Sequence, residues 1–128
     1  MDRKFQITVN EHQLYLMAAC IEDCARFLCG QTELWHTTSQ LGKNYLELRD
    51  KLEELQPLVT PNLQNGMSYG WNGGHCLNEW QKKTIAETYY LYRTMLYHLH
   101  KDDEHWSVYK SPSLRCADSG EVIEIKEI

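Results

Sequence analysis

The stretch Leu77-Asn78-Glu79-Trp80-Gln81-Lys82-Lys83-Thr84-Ile85-Ala86-Glu87-Thr88-Tyr89-Tyr90-Leu91-Tyr92-Arg93-Thr94-Met95-Leu96-Tyr97-His98-Leu99-His100-Lys101 decides how the chain is read. Ile85, Tyr89, Tyr92, Leu96 and Leu99 recur at helical spacing and make one stripe, with Trp80, Thr88, Leu91 and Met95 beside it. The spacing predicts a long helix from about residue 77 or 78 to about 101. Apolar and aromatic residues cover more than one stripe. Such a helix is expected at the centre of a fold, or with a second face buried in a partner. Tyr90, Arg93 and Tyr97 occupy the remaining flank at i, i+3 and i+7.

A second strong helix precedes it. Leu14, Met17, Ala18, Ile21, Ala25 and Leu28 keep helical spacing, and Gly30 is the natural stop. Thr8 with Glu11, or Asn10 with Gln13, offers a capping box at the start. The helix is read from about 10 to about 29, with Glu22 and Arg26 paired at i,i+4. Cys20, Cys24 and Cys29 lie on it beside Ala and Leu, and are expected to pack as small hydrophobes. Residues 31–38 read ambiguously. From about Ser39, the residues Leu41, Tyr45, Leu48, Leu52 and Leu55 step by four and three, a narrow stripe on another helix that Pro57 is expected to end. The opposite face, with Lys43, Glu47, Asp50, Lys51, Glu53 and Glu54, reads as solvated.

Residues 57–76 form a Gly-rich loop that holds four of the seven glycines, together with Tyr69 and Trp71. Loops of that length tend to carry function. Both ends of the chain alternate apolar and polar residues, the period of a half-buried strand: Phe5-Gln6-Ile7-Thr8-Val9, Trp106-Ser107-Val108-Tyr109 and Val122-Ile123-Glu124-Ile125-Lys126. The fold class expected is α+β, mainly α. Three to four helices would carry a small antiparallel sheet, formed by the N-terminal strand and the C-terminal strands, in a single domain over residues 1–128.

Composition narrows function by exclusion. A chain of 128 residues with formal net charge −5 has no excess of Lys and Arg for a nucleic-acid surface, so no direct nucleic-acid partner is expected. No apolar run approaches a membrane span, and the first residues show no secretory signal, so a cytoplasmic location is expected. The odd count of five cysteines fits reduced thiols. His98, His100 and His105 cluster near the end of the long helix, but side chains at i and i+2 point about 200° apart, and no HExxH or CxxC spacing exists. No metal or other cofactor is expected. Nor does the sequence hold a GxSxG elbow, a phosphate-loop spacing or GxGxxG, so no catalytic residue is assigned and the chain reads as a non-enzyme.

The positive signal is a binding surface. Four Trp and eight Tyr are many for this length. Arg26 ends the first helix just before Gly30-Gln31, Arg93 sits among Tyr90, Tyr92 and Tyr97, and Trp71-Asn72 lie in a glycine frame. Arg binds phosphate bidentately, aromatic faces stack bases, and amides read base edges. The same residue types anchor protein interfaces. The candidate ligand-binding residues are therefore Arg26, Gln31, Trp71, Asn72, Tyr90, Arg93 and Tyr97.

The segment Arg26-Phe27-Leu28-Cys29-Gly30-Gln31 resembles the end of the first helix in a group of small phage- and prophage-encoded proteins, which carries an Arg-x-x-x-Gly-Gln pattern. The resemblance extends to Ile7-Thr8-Val9-Asn10-Glu11 at the start, to Tyr89-Tyr90-Leu91-Tyr92, and to Trp106, Pro112, Ser119-Gly120 and Ile123-Glu124-Ile125 in the tail. It implies a mobile-element origin and a bacterial host cytoplasm. The function expected from it is a non-enzymatic counter-defence protein, a homo-oligomer that sequesters a nucleotide-derived signal. Arg26 and Arg93 would hold phosphates, Trp71 and the tyrosines would stack, and Gln31 and Asn72 would hydrogen-bond. Two alternatives stand beside it. One is an inhibitor that presents Asp50, Glu53, Glu54, Asp102, Asp103 and Glu104 to a host protein. The other is an accessory domain with no ligand.

Overall fold

A computed structural model describes residues 3–60, 77–103 and 121–128. The order of elements is α1 (Glu11–Leu28), a four-residue turn of helix α2 (Trp35–Thr38), a 3₁₀ segment (Ser39–Asn44), α3 (Tyr45–Val59) and α4 (Glu79–His100).

Short polar residues set the helix starts. Asn10 caps α1: its side chain accepts from the Gln13 N–H at 2.8 Å, and the Gln13 side chain accepts from the Asn10 N–H at 2.9 Å. Of the two boxes legible in the sequence, the one on Asn10 forms. Asn78 and Gln81 repeat the arrangement at the head of α4, at 2.8 and 3.2 Å. The end of α1 is equally well defined. Gly30 takes φ of 96°, a left-handed conformation that side chains disfavour. The Gln31 N–H then donates to the Arg26 carbonyl at 2.9 Å and the Gly30 N–H to the Phe27 carbonyl at 3.0 Å, the bond pair of a Schellman stop.

α1 and α4 make the core. The start of α1 and the end of α4 border one cleft, and Cys29 past the end of α1 packs with Leu77 and Ile85 at the start of α4, so the two helices run antiparallel. Ala18 and Ala25 are small enough to bring Tyr92, Met95 and Leu96 close, with Leu14, Met17, Ile21, Tyr89 and Leu99 around them. The expected stripe of α4 is therefore the core stripe. Trp80, placed beside it by spacing, is instead 64% exposed.

Three expectations are corrected. First, the described residues contain no strand and no sheet, so the architecture among them is all helical. Phe5 and Ile7, the apolar side of the N-terminal alternation, are 76% and 66% exposed and cover no core. The C-terminal alternation half-buries one face without pairing: Ile125 packs on the α1–α4 core, and the Ile123 N–H donates to the Tyr90 hydroxyl at 3.2 Å. An extended segment laid on helices needs the same period of two as a strand in a sheet. The segment around Trp106–Tyr109 lies outside the described residues. Second, Pro57 does not end α3, which runs to Val59. Pro removes one N–H near the helix end. The helix still closes through the Thr60 N–H on the Gln56 carbonyl at 2.9 Å. Third, Cys20 and Cys24 are exposed, and of the three cysteines on or just past α1 only Cys29 is buried. Residues 20 and 24 fall on the side of α1 away from Ala18 and Ala25, a phase that the mixed Ala, Cys and Leu composition conceals.

α3 packs on the 3₁₀ segment and α2. Leu41 and Leu55 remain 44% and 52% exposed, so the four-three stripe is only partly covered, and Leu58 beyond it is 82% exposed. Two buried glutamines fix its end. The Gln56 side chain donates to the Gly30 carbonyl at 2.7 Å, and the Gln81 side chain donates to the Val59 carbonyl at 2.8 Å. Among the described residues, no helix is long and apolar enough to cross a membrane.

Candidate functional site

The polar centre of the structure lies between α1 and α2. Glu22 and Asp23 sit side by side on α1, and each is only 5% exposed. Burying a carboxylate is costly unless it is paired and hydrogen-bonded, and here both are. The two oxygens of Glu22 divide their partners. One accepts from Arg26 Nε at 2.9 Å and Nη2 at 2.8 Å, and the other faces His36 Nε2 at 3.3 Å. Asp23 accepts the backbone N–H groups of His36 at 3.3 Å and Thr37 at 2.7 Å, and so caps α2 from a different helix. The imidazole of His36 is held at both nitrogens. Its Nε2 faces Glu22, its Nδ1 lies 3.3 Å from the Tyr15 hydroxyl, and the two rings meet edge to face at 5.9 Å.

The Schellman stop carries the network further. It folds Gln31 back over the last turn of α1, where its side-chain oxygen accepts from Arg26 Nη1 at 2.7 Å. The Gln31 amide reaches the Cys29 sulfur at 3.8 Å. Burial pushes the Cys29 thiol above its usual pKa, against the smaller opposing pull of Gln31 and Arg26. A continuous chain of side chains thus runs from Tyr15 through His36, Glu22, Arg26 and Gln31 to Cys29. Chemically it can fix the orientation of the Tyr15 hydroxyl and hold the Arg26 guanidinium flat against α1. The Tyr15 side chain also borders an open cleft of about 470 Å³ with Asn10, Glu11, His12, Leu99 and His100.

The expected ligand-binding residues fall into three places. Arg26 and Gln31 are brought into contact, and the side chain of Arg26 is 36% exposed. Tyr90 is buried at 4%, with its hydroxyl under the backbone of Ile123. Arg93 lies over the Tyr89 ring at 5.6 Å, and Tyr97 meets the His98 ring edge to face at 5.2 Å, both half-buried on α4. No hydrogen bond or ion pair among the described residues joins the Arg26–Gln31 pair to the α4 trio. Trp71 and Asn72 lie outside the described residues.

Of the acidic residues proposed to form an inhibitory field, Asp50 is bonded to Arg49 at 3.4 Å and Glu54 to Lys51 at 3.7 Å. His100 sits 4.0 Å from Asp103, and desolvation, helped by the charge of Lys101, holds His98 below its usual pKa. Among the described residues, no three His, Cys, Asp or Glu side chains converge as a metal site.

Sequence reading missed Tyr15, Asp23 and His36. The Glu22–Arg26 spacing was a visible signal, but nothing local links residue 36 to residue 22. No family model matches the chain, and no curated protein or solved structure matches it either.

Proposed function

We propose that the chain is a non-enzymatic binding domain that acts on a protein partner through apolar and aromatic side chains presented by its helices. The observation that carries this reading is the exposure of Trp35 at 63% and Trp80 at 64%. Each opens a helix, α2 and α4, whose backbone is anchored by Asp23 in one case and by the Asn78–Gln81 box in the other. Tryptophan is the residue type most enriched at the energetic centres of protein interfaces, and leaving a large indole in water forfeits its burial energy until a partner arrives. Several charged groups are paired within the chain: Glu22 holds Arg26, and Arg49 and Lys51 face Asp50 and Glu54.

The test is affinity capture from the bacterial lysate with the wild-type chain and with Trp35→Ser and Trp80→Ser. Both variants should keep the helical spectrum, because both indoles are exposed. A discrete partner retained by the wild type and lost with either variant supports the proposal. Equal capture by all three, or none, refutes it.

A second reading keeps the nucleotide-derived ligand of a phage counter-defence protein. It rests on the contact between Arg26 and Gln31 at 2.7 Å. A phosphate arriving there has to compete with Glu22 for the guanidinium. A thermal-shift panel of linear and cyclic nucleotides tests it. Saturation at about 100 times the dissociation constant adds roughly 2.7 kcal/mol, a shift of several degrees, and that shift should vanish in Arg26→Ala.

A further inference from the structure

Cysteine is among the residue types most often buried, so two exposed ones in register call for a reason. Cys20 and Cys24 are both free and exposed on α1, whereas Cys29 past its end is buried. Among the described residues neither exposed thiol has a hydrogen-bond partner. The four-residue step puts them a turn apart on one face of the helix, with Leu16 and Phe27 flanking them. The nearest carboxylates in sequence are engaged elsewhere: Asp23 accepts from the His36 and Thr37 N–H groups, and Glu22 receives Arg26.

The spacing decides what two such thiols can do together. Side chains four apart on a helix have Cβ atoms about 5–6 Å apart. A disulfide needs about 3.5–4.5 Å, so α1 cannot close one between them without unwinding. A shared metal ion fits the gap. Two sulfurs each about 2.3 Å from one ion stand up to about 4.6 Å apart, and rotation about the two Cα–Cβ bonds reaches that span from a regular helix.

We propose that Cys20 and Cys24 form a two-thiolate clamp for Cu(I). The ion follows from the ligands. Thiolates are soft and select Cu(I), zinc or iron–sulfur clusters over magnesium and calcium. Zinc asks for four ligands, and the described residues bring no third His, Cys, Asp or Glu to the pair. Cu(I), a singly charged ion with a filled d shell, is satisfied by two thiolates in line. Each thiol gives its proton to solvent as the ion binds, no electron is transferred, and the loaded clamp carries one net negative charge. The site stands apart from the exposed tryptophans and does not depend on them.

The test uses the reduced full chain under anaerobic conditions, with Cu(I) supplied as its coloured bicinchoninate complex. The wild type should withdraw one ion per chain, release protons as it does so, and stay a single chain of 15.1 kDa. X-ray absorption at the copper edge should show two sulfur neighbours. Cys20→Ser and Cys24→Ser should keep the helical spectrum, because both positions are exposed. Losing an outer-shell partner of a metal ligand costs about 10–100-fold in affinity, so losing one of two ligands should cost at least about a hundredfold. A wild-type chain that leaves all Cu(I) on the chelator overturns the proposal. So does binding that survives in the double variant, which would place the ion on other side chains. A complex of two chains per ion with four sulfur neighbours overturns the two-thiolate assignment as well.

Discussion

Replacing Glu22 with alanine removes the group on which the α1–α2 junction turns. The carboxylate receives two Arg26 N–H groups at 2.8 and 2.9 Å and faces His36 Nε2 at 3.3 Å. Hydrogen bonds to a charged group contribute about 1.5–3 kcal/mol each, and breaking a fully buried pair costs about 3–5 kcal/mol. Arg26 is not fully buried: its side chain is 36% exposed and keeps Gln31 as a partner, so it can rehydrate. That relief brings the expected loss to about 2–4 kcal/mol, below the full cost of an orphaned buried cation. In a chain of this length it corresponds to a fall in midpoint of roughly 6–16 °C. Glu22→Gln keeps an acceptor for Arg26 and should cost about half as much. Urea unfolding followed by circular dichroism measures both. The control is Glu54→Ala, an exposed carboxylate with an i−3 lysine, which should stay within about 0.5 kcal/mol of wild type. A Glu22→Ala loss no larger than the Glu54→Ala loss would refute the view that the buried carboxylate holds α2 on α1.

Leu96→Ala, at a position 3% exposed in the core, should cost about 2–5 kcal/mol in the same assay, whereas Leu58→Ala, 82% exposed, should cost under about 0.5 kcal/mol; similar losses would contradict the core assignment. Alkylation mapped by mass spectrometry at neutral pH should label Cys20 and Cys24 well before Cys29, which is buried and whose raised pKa leaves less thiolate; equal rates would show that the end of α1 opens readily. His98 has a folded pKa below its usual value of 6.5, so the unfolded chain binds more protons between those two values. Stability should therefore fall as pH drops through 6.5 toward the lower folded value, and His98→Gln should flatten that part of the profile; an unchanged slope would remove His98 as its cause.

What was legible in the sequence is what local chemistry decides. Asn10, Gly30 and Asn78 mark the ends of α1 and the head of α4 because capping and left-handed backbone are properties of single residues and their near neighbours. The stripe from Ile85 to Leu99 identified the core face of α4. Tertiary choices were hidden. Period-two alternation in residues 5–9 and 122–126 cannot distinguish a strand in a sheet from an extended segment lying free or resting on helices. The outward phase of Cys20 and Cys24 depends on which side of α1 meets α4. The junction of Tyr15, Glu22, Asp23 and His36 joins residues up to 21 positions apart, and only the Glu22–Arg26 pair within it has a local spacing. Of the seven expected site residues, Arg26 and Gln31 meet because the Schellman stop folds the chain back on itself, a consequence of Gly30. Tyr90 is buried because α4 is covered on that flank by the segment carrying Ile123.

The central claim is that the exposed tryptophans are contact points for a protein partner. Site-specific photo-crosslinking in the expressing cell tests it at residue resolution. A photoreactive phenylalanine analogue is placed at position 35 or 80, or at Lys51 as a control on the exposed polar face of α3. The account predicts a discrete adduct to another protein from position 35 or 80 and none from position 51. No adduct at either tryptophan position, or the same adducts at all three, would contradict it.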